Sequence, residues 1–442
     1  MSADTAESLA MRKESRKNVR WIIARAVKVI VLMVVLVSGE AYAAEPLTLD
    51  EAVTVALKNH PQAVEARENL NGAEARTGQA LANYYPLIHI AADWSRGRTF
   101  LTPTESIKKT EVQSDTLYLK QTIYDFGRTA GAVEAARGNR AAVAESLAIT
   151  RQDIAFRVRS DFYLLLAAEK QVVATREIVD AREAVFRQAQ EFFNQGIRAK
   201  VDVARAEANL YAAKTALIRA ANNRDLARVE LANAMGIPSL PERALVEPTP
   251  VSVRVSELIQ VQNEASTNRA ELKRLNALKS SAAGSLKSVR SGYLPTLSAA
   301  ASLGYADRDF PPGGNVWAVG LNLTVPLFSG FSTVEQEKEA VAALHVVEAQ
   351  QNNQRLQIVK EVQSAWLGVK EANARLASTE KEVAAAVENR ILAEGRYREG
   401  VGNIIEVTDA QSQSLDAETS HIQAVYDYRT ALARLDRAVG KE

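Results

Sequence analysis

FNQGIRAKVDVARAE, residues Phe193 to Glu207, and YREGVGNIIEVTDAQ, residues Tyr397 to Gln411, are one stretch written twice. At an offset of 204 positions Gly196 meets Gly400, Asp202 meets Glu406, Val203 meets Val407 and Ala206 meets Ala410. The same offset carries Ile154 onto Ile358, Val158 onto Val362, Phe162 onto Trp366, Leu231 onto Leu435 and Gly236 onto Gly440. Upstream of Gln121 the offset is 209, with NHPQ (Asn59 to Gln62) on NRAE (Asn268 to Glu271) and YYP (Tyr84 to Pro86) on YLP (Tyr293 to Pro295). The change leaves five extra residues in the first copy between its YYP and Gln121, where an exposed loop tolerates them.

Each copy reads as helix, strand, loop, strand, very long helix, glycine break, helix. In the first these parts fall near 48–84, 87–97, 98–114, 115–124, 127–194 and 198–235; in the second near 256–292, 296–305, 306–315, 316–327, 331–398 and 403–439. The repeats are assigned to 44–240 and 256–442, with a proline-rich linker over 241–255. GIPSLPERALVEPTP (Gly236 to Pro250) brings four prolines to that join, a composition that ends one unit and starts the next. Ile358, Val362, Ala365, Val369, Ala372, Leu376, Thr379, Val383 and Ala386 alternate spacings of four and three, and Ile154, Val158, Asp161, Leu165, Ala168, Val172, Thr175 and Val179 stand at the matching places. This is a heptad seam on a helix of about 100 Å at about 1.5 Å per residue. Its small residues suit a sheet of closely packed helices better than a tight rod.

The strands carry a period of two. Leu297, Ala299, Ala301, Leu303 and Tyr305 alternate with small and polar residues, as do Trp317, Val319, Leu321, Leu323 and Val325. In the first copy Ile88, Ile90, Ala92 and Trp94, then Leu117, Leu119 and Ile123, keep the pattern. Segments of about ten residues alternating in this way mark outer-membrane barrel strands, with the apolar set facing lipid. Four strands cannot close a barrel. Two chains would supply eight, a size filled by side chains, and three would supply twelve, enough for a lumen.

The N-terminus carries Arg12, Lys13, Arg16, Lys17, Arg20, Arg25 and Lys28, then the apolar run Val29 to Val37, then Ala41-Tyr42-Ala43. This is the order of a secretory signal peptide over residues 1–43, cleaved after Ala43. The apolar run is too short for a spanning helix, which needs about 20 residues, so any membrane span must be made of strands. A formal charge of +1 gives no reason to expect nucleic acid as a partner. With no cysteine, the chain has no disulfide, thiolate metal site, cysteine nucleophile or lipidated cysteine.

Taken in order, the duplicated unit, the junctions QTIYDFG (Gln121 to Gly127) and VPLFSGF (Val325 to Phe331), and the two glycine turns followed by DVARAEANL and EVTDAQSQSL resemble the TolC-like outer membrane efflux proteins over essentially all of the chain after Ala43. The resemblance implies a mostly α fold with a membrane β-barrel: a homotrimer whose twelve-stranded barrel continues into a long periplasmic α-helical coiled-coil tunnel. It implies an outer membrane exit duct serving an inner-membrane pump and a periplasmic adaptor in efflux or type I secretion. It implies that Ile88, Ile90, Trp94, Leu117, Leu119, Leu297, Leu303, Trp317, Val319, Leu321 and Leu323 meet outer membrane lipid. Gly196 and Gly400 are expected where the long helices reverse at the periplasmic tip, since glycine takes the left-handed conformation a helix end needs. With Ile197 and Val401 they resemble the family's contacts for the adaptor. Glu406 and Asp409, three apart on one helical face, match acidic residues that ring the family's tunnel entrance. The first copy departs with Asp202 and Arg205, and Arg205 is expected to pair with a neighbouring carboxylate and hold the entrance shut.

Enzyme chemistry has no signature here. His60, His89, His345 and His421 are scattered without metal-ligand spacing, no phosphate-binding loop is present, and Asp125-Phe126-Gly127 lacks the partners of a kinase motif. No cofactor is expected. An exported coiled-coil scaffold or a periplasmic adaptor is the rival reading; the scaffold accounts for the helices but not for the alternating strands, and the adaptor would have one helical hairpin flanked by β-rich domains rather than two copies each holding a strand pair.

Overall fold

A computed structural model describes residues 46–101, 106–249 and 257–441. The proposed signal peptide, with Ala41 and Ala43, lies outside the described residues, as do linker residues 250–255. A small unit that includes residues 46–48 and 241–247 holds a parallel bridge between Leu47 and Leu245. The larger unit holds everything else. Its elements are α1 (Leu49–Asn59), α2 (Pro61–Ala82), β1 (Leu87–Leu101), β2 (Ser106–Tyr124), α3 (Arg128–Asn194), α4 (Lys200–Ala234), α5 (Leu258–Asn268), α6 (Ala270–Arg290), β3 (Thr296–Asp307), β4 (Gly314–Thr324), α7 (Ser332–Arg398) and α8 (Ile404–Val439). None of the described helices is long and apolar enough to cross a membrane.

The two long helices, α3 and α7, have 67 residues each and begin and end 204 positions apart. Each starts after two residues with positive φ, Phe126 and Gly127 in one copy and Gly330 and Phe331 in the other. Asp125 caps the first: its carboxylate accepts from the backbone N–H of Thr129 at 2.7 Å and of Gly127 at 3.1 Å. The helix expected over 48–84 is two helices. Pro61 has no N–H to donate and biases His60 to an extended backbone, so the chain kinks there and restarts with Pro61 as first helical residue. The helix expected over 256–292 breaks at the matching Arg269 without a proline.

Arg269 is held by partners instead. It is buried, and its guanidinium donates to Glu271 Oε2 at 2.8 Å, Glu361 Oε2 at 2.7 Å and the Ala438 carbonyl at 3.1 Å. Arg437 joins the network through Glu271 Oε1 at 2.9 Å and Asp153 Oδ1 at 2.7 Å. Burial works against ionising Glu271, yet Arg269 and the Arg437 hydrogen bond hold its carboxyl below the usual range. The network ties α3, α6, α7 and α8 where the second copy ends.

The sheet order is β1-β2-β3-β4, all antiparallel. The first hairpin is longer than its side-chain pattern indicated: β1 runs to Leu101 and β2 starts at Ser106, against strand ends read at 97 and 115. The ladder is made by backbone groups and continues where Arg96, Gly97 and Lys109 interrupt the alternation. In the second hairpin β3 likewise runs on to Asp307 and β4 starts at Gly314, against ends read at 305 and 316, while β4 stops at Thr324 rather than 327, short of Pro326. A bulge at Ile123 sets Tyr124 opposite Leu297, so Ile123 leaves the simple alternation.

Among the helices, α3 packs on α4, α6 and α8 as well as α1 and α2, whereas α7 packs mainly on α8 and α6. The α3–α6 seam is the tightest by backbone. A Cβ added to Gly138 would lie 2.5 Å from the Ser281 amide nitrogen, and one added to Gly284 would lie 2.5 Å from that of Ala135. Ser281 Oγ and Ser288 Oγ donate across it to the carbonyls of Ala135 (2.8 Å) and Arg128 (3.0 Å). Glycine is required because the backbones are in contact.

Candidate functional site

Both long helices end at glycine with positive φ, 72° at Gly196 and 76° at Gly400. In each turn the next residue closes back onto the helix, Ile197 N–H to the Phe192 carbonyl at 2.9 Å and Val401 N–H to the Arg396 carbonyl at 3.0 Å, which is the Schellman pattern. Gly402 serves the second turn differently: a Cβ there would lie 2.9 Å from the Tyr397 amide nitrogen. Asn403 then caps α8, its Oδ1 accepting from Glu406 N–H at 2.9 Å.

The two turns are joined. Arg198, which occupies in the first turn the place of Gly402 in the second, donates Nη2 to the carbonyls of Gly400 (3.0 Å) and Gly402 (2.6 Å). Behind it, Tyr397 is buried and meets Phe192 edge to face at 5.8 Å, in a cluster with Val185, Ala189, Ala206, Ala393, Ile404, Val407 and Ala410. Ile197 and Val401 remain exposed, Val401 at 72%. This end of the chain is therefore a packed, tied pair of turns with an apolar tip.

Glu406 is half-buried and faces Arg396 at 3.5 Å, and Asp409 is exposed one turn along. Asp202 is half-buried, and Arg205 is exposed with no carboxylate partner among the described residues. Arg198 and Arg396 were missed in the sequence. Offset comparison pairs Arg198 with Gly402 and Arg396 with Phe192, so neither cation has a counterpart to draw attention to it.

At the sheet, register brings one set of side chains together across all four strands. Ile90, Leu117, Leu303 and Trp317 form one row, and Ile88, Leu119, Ala301 and Val319 the next. Leu321 lies opposite Ala299 and Leu323 opposite Leu297 on the same face. Trp94, Val319 (77%), Leu321 (76%) and Leu323 are exposed; Leu119 and Leu297 are half-buried. Rows of the other face carry His89, Tyr118, Ser302 and Ala318, or Ala91, Thr116, Gly304 and Val316. A water-facing sheet does not present its apolar side outward, so this face needs a cover. Among the described residues no group of three or more His, Asp or Glu is placed to hold a metal ion.

A family model described as outer membrane efflux protein matches residues 52–237 and 261–441. The chain belongs to that family. This efflux channel is 25% identical over 407 residues to Protein CyaE of Bordetella pertussis, covering 90% of this chain and 85% of that one. It is 25% identical over 442 residues to the outer membrane efflux protein BepC of Brucella suis (96% and 92%), and 24% identical over 417 residues to the alkaline protease secretion protein AprF of Pseudomonas aeruginosa (88% and 83%). In fold the channel matches the outer-membrane channel OprN with a TM-score of 0.80 at 18% identity, covering 89% of this chain and 90% of that one. It also matches the Campylobacter jejuni CmeC outer membrane channel with a TM-score of 0.78 at 18% identity (91% and 90%). The channel resides in the outer membrane and extends into the periplasm, and its duplicated, mostly helical fold is that of the efflux and secretion ducts.

Proposed function

We propose that three copies of this chain close into a passive exit duct, with the β-hairpins forming a twelve-stranded barrel and the helix-turn end forming the periplasmic entrance. The observation that carries the reading is a pair of contacts made once where the duplication calls for two. The α3–α6 seam and the α3–α8 contact each have a counterpart by offset, α7 on α2 and α7 on α4, and neither is among the substantial packings within the chain. Between Ser332 and Gln357 the channel leaves α7 without a buried residue, and Val334, Glu337, Lys338, Val341, Ala342 and His345 line an open groove of about 440 Å³ along it. A neighbouring copy supplies the missing halves, and the free edges of β1 and β4 then meet between copies and leave no open edge.

In this arrangement the exposed rows of Ile88, Ile90, Trp94, Leu117, Leu303, Trp317, Val319, Leu321 and Leu323 face lipid. Glu406 and Asp409 from each copy ring the entrance, with Asp202 and Arg205 beside them. Arg198 holds the two turns of each copy together, a contact suited to a resting, narrowed entrance. Ile197 and Val401 offer an apolar tip for a periplasmic adaptor, through which an inner-membrane pump delivers substrate; the efflux name of BepC and the secretion name of AprF support a role in such transport. Electron microscopy of the protein extracted from outer membranes in mild detergent tests the assembly. A three-fold hollow particle about 140 Å long, from a helix of about 100 Å and a barrel of about 40 Å, is expected. A thin rod or a compact particle from the soluble fraction refutes it.

A further inference from the structure

We propose that Arg96, Arg98 and Lys109, on the projecting end of the first hairpin, bind the phosphate groups of outer-leaflet lipid and so anchor the channel at a fixed height. The inference rests on the barrel reading above. Along β1 the apolar face runs Ile88, Ile90, Ala92, Trp94 and then, without changing face, Arg96 and Arg98. Their cross-strand partners are Leu119, Leu117, Asp115, Gln113, Glu111 and Lys109. Arg98 and Lys109 are thus like charges directly opposite one another, an arrangement that destabilises a strand pair unless an anion lies between them. Arg96 and Trp94 are both positioned by Glu111, which lies 3.7 Å from Arg96 Nε and accepts from Trp94 Nε1 at 3.3 Å.

Height decides what that anion is. The exposed aromatics Tyr84, Tyr85, Tyr124, Phe328 and Phe331 mark one end of the apolar face, and Trp94, Tyr305 and Trp317 mark the other. From Leu297 to Asp307, the partners of Tyr124 and Gln113, β3 climbs about 33 Å at about 3.3 Å per residue, which is about 25 Å along the normal at a tilt of about 40°. That is the height of an outer-membrane apolar band between its aromatic girdles. Arg96 and Arg98 stand two and four residues beyond Trp94, about 5 to 10 Å further out, where lipid phosphates lie.

β3 ends at Asp307, opposite Gln113, so among the described residues the hairpin beyond Trp94 has strand pairing only with itself, and an isolated two-stranded ribbon is marginal in water. Between Ser95 and Gln113 the sequence carries four basic and two acidic residues, whereas the shorter second loop, 306–313, carries Asp307, Arg308 and Asp309. The extension present only in the first copy is the basic one.

The test uses the full chain in detergent, titrated with bisphosphorylated lipid A, with dephosphorylated lipid A and with inorganic phosphate, and read by native mass spectrometry of the assembled oligomer. Bisphosphorylated lipid is expected to bind at least tenfold more tightly than the dephosphorylated lipid, with inorganic phosphate failing to compete at millimolar concentration. The Arg96→Gln, Arg98→Gln, Lys109→Gln variant is expected to lose about 100-fold, from about fivefold per basic residue near an anionic lipid surface. Equal binding of the two lipids by the unmodified protein overturns the proposal, and competition by free phosphate overturns the assignment to lipid. Channel conductance in planar bilayers, measured on the same preparation, separates the two readings: a conducting protein indifferent to the phosphates leaves the duct standing, and one that never inserts removes both.

Discussion

Arg198→Ala should loosen the helix-turn end of the channel. In the structure the Arg198 guanidinium makes two hydrogen bonds, at 3.0 and 2.6 Å, to carbonyls of the opposite turn, and these cross from the α3–α4 pair to the α7–α8 pair. Hydrogen bonds from a charged donor contribute about 1.5 to 3 kcal/mol each when buried, and Arg198 is half-exposed, so the pair together is worth about 2 kcal/mol. Losing it shifts the balance between joined and parted turns by about thirtyfold in each copy. Arg198→Lys keeps the charge without the planar fork that reaches both carbonyls, and should fall between the two. Single-channel recording in planar bilayers reads the effect. The resting channel should show brief, rare openings, and the alanine variant should raise the open probability at least tenfold while still migrating as the assembled oligomer. Open probability and conductance unchanged in an assembled Arg198→Ala channel would refute the claim that this tie holds the entrance.

Glu406→Ala with Asp409→Ala should raise leak conductance and weaken cation preference, measured as a shift of reversal potential under a salt gradient; unchanged values remove the carboxylates from the gate. Asp161 stands in the heptad seam where the second copy has Ala365, and burial, then Glu230, push its carboxyl up to about 6 against the opposing pull of Arg157. Because the native pKa is raised, the native state holds the proton more tightly, so stability is full below about 3.9, falls as pH rises, and is lowest above about 6. A shift of about two units is about 3 kcal/mol, halved to about 1.5 for a half-buried group. Asp161→Asn should therefore stabilise the protein by about 1 kcal/mol at pH 8 and by little at pH 4, read from urea unfolding of the helical circular dichroism signal in detergent. Arg269→Ala leaves Glu271 buried beside a single remaining cation and should cost about 3 to 5 kcal/mol in the same assay, whereas a loss below 1 kcal/mol would show that water reaches the network.

What could be read from the sequence was what repeats. The 204-residue offset located both long helices to within about a residue, because Gly127 and Phe331, then Gly196 and Gly400, mark the same corners twice. Periods of two placed Ile88 to Trp94 and Trp317 to Leu323 on one face, and the register bears that out. What escaped was what the repeat does not share or what depends on a facing element. Arg198 sits where the other copy has glycine. The kink at Arg269 has no proline, since an ion network does there what Pro61 does in the first copy. Gly138 and Gly284 look like tolerated helix glycines until the facing backbone is known. The extent of β1 and β2 was underestimated because the ladder outlasts the apolar alternation.

The cysteine-free chain allows a direct measurement of ring closure. Gly138 and Ser281 face each other across the α3–α6 seam, and their offset equivalents are Ala342 on α7 and Gly72 on α2. A Gly72→Cys, Ala342→Cys variant, oxidised in outer membranes and run without reductant, should give a ladder of one, two and three linked chains that stops at three. Only monomer, or a ladder that continues past three, would contradict the closed three-copy duct.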